Sequence, residues 1–120
     1  MSCFQADAEA AWEARRKFTK VAELAAETHF DILILSCPGC GQSCVSVFTE
    51  TIDWVDGEDP QYWQVLPLTL AEVEALRADP SKSRVESFGA GRRCLRFDHP
   101  KIGPKQIYWA AGPIRIGRHD

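Results

Sequence analysis

The feature that most constrains the fold is an apolar run ending in a proline–glycine turn, followed by a segment that alternates with period two. Asp31-Ile32-Leu33-Ile34-Leu35-Ser36 is short, apolar and β-branched, and reads as a buried strand. Cys37-Pro38-Gly39-Cys40-Gly41 follows, where proline and glycine impose a tight turn. Residues 44–55 then alternate: Val45, Val47 and Phe48 start one register, and Ile52 and Trp54 continue it with one slip. A β-bulge near Phe48 or Thr49 accounts for that slip.

The flanking segments extend this strand–turn–strand unit. Residues 3–28 place Ala11, Ala14, Phe18, Val21, Ala22 and Ala25 at helical spacing, with charged residues between them. That pattern, the alanine content and a Ser2/Gln5 capping box predict an amphipathic N-terminal helix. Asp56-Gly57-Glu58-Asp59-Pro60 reads as a turn or exposed loop. Tyr62-Trp63-Gln64-Val65-Leu66 reads as a strand paired with residues 50–55. Thr69-Leu70-Ala71-Glu72 is a capping box, and it predicts a short helix ending near Ala78. Residues 79–83 form a break. Further strands are expected over 92–97, 106–111 and 114–116, punctuated by Gly103-Pro104 and Gly112-Pro113. This order predicts an α+β fold in one domain, residues 1–120, with the N-terminal helix packed on a mostly antiparallel sheet.

A chain of 120 residues can bury about two thirds of the surface its unfolded form exposes. No apolar run approaches the ~20 residues that a membrane span requires. The start, Met1 to Asp7, lacks a basic stretch followed by an apolar one, so the expectation is a cytoplasmic protein with no membrane partner. The net charge of −3 is unevenly spread. Residues 50–80 carry eight acidic groups against one basic, and residues 81–120 carry nine basic against three acidic. Such segregation creates opposed surface fields, or lets neighbouring strands neutralise each other.

Cys37 and Cys40 stand two residues apart on the turn. Two thiolates at this spacing can grip one side of a tetrahedral Zn²⁺ at about 2.3 Å per sulfur. The segment resembles the CPxCG knuckle of zinc-ribbon proteins over residues 36–42. That resemblance implies a bound zinc at one end of the sheet. Because a second CxxC pair is absent, Cys44 and Cys94 are the candidates to complete the site, with His29 and His99 in reserve. The alternatives are a metal-free turn with buried thiols, and thiol-redox or metal-dependent enzyme chemistry. For redox use, a helix should follow Cys37 to lower its pKa, whereas the residues that follow read as strand.

Two further patches carry recognition chemistry. Glu50, Asp53, Asp56, Glu58 and Asp59 lie among Trp54, Tyr62 and Trp63. Acids beside aromatics suit a protein-binding face for a cationic partner, as in a small immunity- or inhibitor-like protein. The same residues also read as a solvated hairpin tip, or as a weak hard-cation site without EF-hand spacing. Arg92, Arg93, Arg96, Arg115 and Tyr108 form the second patch, since basic strands with interleaved aromatics bind single-stranded nucleic acid. An overall pI near 5.6 weighs against a nucleic-acid footprint. No Ser-His-Asp pattern, phosphate loop or HExxH occurs, so the sequence points to a binding module rather than to an enzyme.

Overall fold

The computed structural model describes residue 4 and residues 6–51 and 60–116. Its centre is a six-stranded antiparallel sheet in the order of the chain. The strands are β1 (Thr19–Glu27), β2 (Phe30–Ser36), β3 (Ser43–Glu50), β4 (Gln61–Leu68), β5 (Arg93–His99) and β6 (Gln106–Ala111). Helix α1 (Ala8–Arg15) precedes the sheet, and α2 (Leu70–Ala78) and α3 (Lys82–Glu86) connect β4 to β5. The α+β class holds. Among the described residues no helix is long and apolar enough to cross a membrane.

Alternation along β2 decides the layering. Phe30, Ile32 and Ile34 point to one face, where they join Val45, Val47, Leu66, Leu68, Cys94 and Ile114 under Val73 and Leu76 of α2 and Val85 of α3. Leu33 and Leu35 point to the other, with Cys44, Val65, Leu95 and Ala11 of α1. A sheet buried on both faces needs such near-continuous apolar strands. Each fully buried aliphatic side chain contributes about 1.5–3 kcal/mol relative to its exposed state. On the α1 face, Trp12, Phe48, Trp63 and Phe97 extend the apolar layer as a ring cluster with centroids 4.7–5.6 Å apart.

The long N-terminal helix is corrected. Asp7 caps α1 through its Oδ1, which accepts from the Ala10 amide at 2.9 Å, but the helix closes at Arg15. Residues 19–27 are the edge strand β1. The reason lies in two irregularities of its pairing with β2, between Lys20 and Ala22 and between Glu23 and Ala25. Each inserts one residue, so Ala22 and Ala25 both face the α2 side although they are three apart. Two bulges thereby give a strand the i, i+3 spacing that reads as helix. Pairing with the apolar β2 overrides the helix propensity of alanine, leucine and glutamate. The expected Ser2/Gln5 capping box lies outside the described residues.

Smaller differences follow. No bulge interrupts β3, whose register runs unbroken against β2 and β4 from Ser43 to Glu50. Strand β4 pairs with residues 43–50, not 50–55, because Glu50 faces Gln61. Lys82 and Ser83 of the expected break open helix α3, Lys82–Glu86. Residues 114–116 are not a strand. They form a tail crossing the α2 side, anchored by Ile114 in the core and by the Ile116 amide donating to Glu86 at 2.9 Å. The α2 capping box is present, with Thr69 and Glu72 exchanging bonds of 2.9 and 3.2 Å.

Candidate functional site

The cysteine turn closes β2 to β3. The Cys37 amide donates to the Gln42 carbonyl at 2.9 Å, and the Gly41 amide donates to the Cys37 carbonyl at 2.9 Å. Gly41 has φ +75°, a conformation glycine adopts without a Cβ clash. The four candidate ligands do not gather around this turn. Cys40 is exposed and Cys37 buried, while Cys44 lies in the α1-side core and Cys94 in the α2-side core, on opposite faces of the sheet. A tetrahedral ion with bonds of about 2.3 Å cannot reach both faces. Among the described residues no group of three or more His, Cys, Asp or Glu is placed to hold a metal. This donor set does not fit a four-ligand zinc site. The segment after the turn is β3, so no helix start lies there to activate Cys37. Burial raises the Cys94 pKa, opposed by the charge and hydrogen bond of Arg96.

The acidic segment separates into parts. Asp53, Asp56, Glu58 and Asp59 lie outside the described residues. The connection that carries them leaves and re-enters the sheet where the Thr51 amide donates to the Pro60 carbonyl at 3.1 Å. The Glu50 carboxylate is occupied within the fold. It accepts from Gln61 Nε2 at 2.6 Å and meets His29 Nδ1 at 2.5 Å. The Gln61 bond, then the His29 bond, hold its pKa below the usual glutamate range. Tyr62 stands one position further along and faces the opposite side of the sheet.

The basic segment also divides. Arg92 reaches the α2 start, where its Nη1 and Nη2 meet Glu72 Oε1 and Oε2 at 2.6 and 2.8 Å and its Nη1 donates to the Pro67 carbonyl at 3.1 Å. Arg93 stacks 3.9 Å over Trp109 and donates to the Ala6 carbonyl at 3.3 Å. Arg96, Tyr108 and Arg115 come together instead. With Tyr62, Thr49, Thr51, Gln64 and Asp98 they line an open cleft of about 330 Å³ on the α2 side of the sheet.

Register explains the cleft. Cross-strand partners share a face, so Ile32, Val47, Gln64, Arg96 and Tyr108 form one row across five strands, and Phe30, Thr49, Tyr62 and Asp98 form the next across four. Each row is apolar on β2 and turns polar by β4. Ile114 draws the tail over the cleft's side, where Gln64 Nε2 donates to the Arg115 carbonyl at 2.7 Å and Gln64 Oε1 accepts from the Arg115 amide at 3.1 Å. Tyr108 donates to Asp98 Oδ2 at 2.7 Å. Its hydroxyl pKa is raised by burial, then by that bond and the Asp98 charge, against the lowering effect of Arg96.

The cationic groups of the cleft are not neutralised within the fold. Among the described residues no carboxylate lies within 4.0 Å of the Arg96 or Arg115 guanidinium. Arg96 Nε is fully buried without a hydrogen-bond partner. The cleft members the sequence reading did not single out are Thr49, Thr51, Gln64 and Asp98. Their signal is a polar pair at period two on each of three strands: Thr49 with Thr51, Tyr62 with Gln64, and Arg96 with Asp98. No known protein family matches the chain, and neither curated proteins nor solved structures give a match.

Proposed function

We propose that the protein is a non-enzymatic binding module whose recognition surface is the end of the sheet bearing the cleft and the β3–β4 connection. One observation carries this reading. Tyr62 from the acidic segment and Arg96, Tyr108 and Arg115 from the basic one, read as separate patches, line a single cleft that Thr51 ties to the start of the acidic connection. A cleft that joins guanidiniums, tyrosines and the Asp98 carboxylate in one place has the chemistry of a protein-binding hot spot. The partner is a cationic protein, steered by Asp53, Asp56, Glu58 and Asp59, in the manner of an immunity- or inhibitor-like protein in the cytoplasm.

The test is recovery of partners from the native cell. A basic protein should be retained by the wild type and lost by a Glu58→Lys/Asp59→Lys variant; equal recovery by both ends this reading. Single-stranded nucleic acid is the second reading, favoured by the meeting of Arg96 and Arg115 with two aromatic rings. It requires salt-dependent retention on single-stranded DNA, and flow-through at low salt removes it.

A further inference from the structure

Arg96 is the group in the cleft that the fold leaves least satisfied. A guanidinium carries five donors and cannot be deprotonated to escape burial. Its Nε is shut off from water and has no hydrogen-bond partner, and among the described residues no carboxylate within ion-pair distance offsets the charge. A buried donor without a partner costs about 1–3 kcal/mol. Around it the hydroxyls of Thr49, Thr51 and Tyr62 make no hydrogen bond to any described residue. By contrast, the amide of Gln64 is committed to the tail, and Asp98 accepts from Tyr108. Among the described residues, the cleft groups with donors to spare are therefore the Arg115 guanidinium, the Arg96 guanidinium beyond its contacts with Cys94 and Tyr108, and three hydroxyls.

We propose that the cleft is a binding site for a phosphate monoester, with Arg96 on its floor and Arg115 at its rim. Two cations and three hydroxyls exceed what the two oxygens of a monocarboxylate can accept, and they match the three terminal oxygens and dianionic charge of a phosphoryl group. A cleft of about 330 Å³ holds more than the phosphoryl group alone. The rings of Tyr62 and Tyr108 flank the space left for the organic part. Among the described residues Asp98 is the one carboxylate in the lining, and it opposes the ligand's charge, partly relieved by its bond from Tyr108. The site goes beyond the partner reading and survives its failure, because the residues argued to hold the ligand, Arg96, Arg115, Thr49, Thr51 and Tyr62, are not the acids that steer the partner.

Calorimetric titration of the full chain with adenosine 5′-monophosphate, inorganic phosphate, acetate and an unphosphorylated oligodeoxynucleotide tests the proposal. Adenosine monophosphate should bind saturably and tighter than inorganic phosphate, which marks an ester site; equal binding of the two overturns the ester site. Arg96→Gln should weaken binding at least tenfold and Arg115→Gln several-fold, with melting curves showing both variants folded. Asp98→Asn should tighten it, an effect that general unfolding cannot produce. The proposal is overturned if no phosphate compound binds at millimolar concentration, if acetate binds as well as phosphate, if the oligonucleotide binds as well as the monoester, or if both arginine variants bind like the wild type.

Discussion

Arg92, just before β5, and Arg96, at its middle, stand four residues apart, yet the fold treats them oppositely. Arg92 closes a two-pronged pair with Glu72, a residue that also caps α2, and so ties the sheet to the helix layer. Arg96 reaches a cleft that offers it no carboxylate within ion-pair distance. The same division separates Arg93, stacked on Trp109, from Arg115, exposed on the tail. One pair of arginines is consumed by the architecture and the other is left for something outside it. Residue type and sequence proximity cannot make that distinction; what the fold places against each side chain does.

The comparison can be broken first at the tail. Ile114 is fully buried and holds Arg115 beside Gln64. Ile114→Ala should lower stability by about 3 kcal/mol in urea unfolding, the usual result of emptying a buried aliphatic site. A change below 1 kcal/mol would mean that the tail is not part of the core. Next in size is Arg92→Ala, which strands the Glu72 carboxylate. With the Arg92 side chain 35% exposed, water screens the pair, and the expected loss is about 1–2 kcal/mol. Phosphate binding should not change.

Acid sensitivity sharpens the same contrast. The Arg92 hydrogen bond, aided by those from Thr69, holds the Glu72 pKa below the usual glutamate range. A depressed carboxylate contributes fully above its unfolded pKa, about 4.3, and the contribution is lost as pH falls through the lower folded value. Glu72→Gln should therefore flatten the acid limb of the stability curve below about pH 4.5. Asp31 acts with the opposite sign, because burial raises its pKa above that of an exposed aspartate. An unaltered acid limb in the Glu72 variant would show that the pair is not populated in solution. The smallest effect is expected at Arg96→Met. Removing a half-buried cation with an unbonded Nε should leave stability unchanged or raise it by a few tenths of a kcal/mol. A loss above 1 kcal/mol would place Arg96 with Arg92 among the structural arginines.

Much of the fold was legible where one physical signal dominated. Strand β2 announces itself by unbroken β-branched apolarity, α2 by its capping box, and β6 by its bounding Gly-Pro pairs. Strand β1 was misread because two bulges stretch its period from two towards three, and alanine-rich composition reinforces the wrong answer. The cleft was legible only in pieces. Tyr62, Arg96, Tyr108 and Arg115 each stood out by chemistry, but their meeting depends on the registers of three strand pairs and on where Ile114 draws the tail. The four-cysteine set failed for the mirror reason. Residues apart in sequence were expected to meet, and strand parity sends Cys44 and Cys94 to opposite faces.

A sheet whose spatial order repeats its chain order can assemble like a zipper. Each strand finds its partner next in the chain, and all the pairings but β4–β5, which is joined through α2 and α3, close a short loop. The bond from Trp109 Nε1 to the Ala6 carbonyl departs from this pattern, joining the two ends of the described chain at 3.0 Å across 103 positions. In a molecule built by local growth, that indole sits where the last-added strand meets the first residues made. With the other three tryptophans replaced, its fluorescence is a built-in reporter of completion, silent about the hairpins of β1 to β4 and responsive when the last hairpin meets the first residues of the chain.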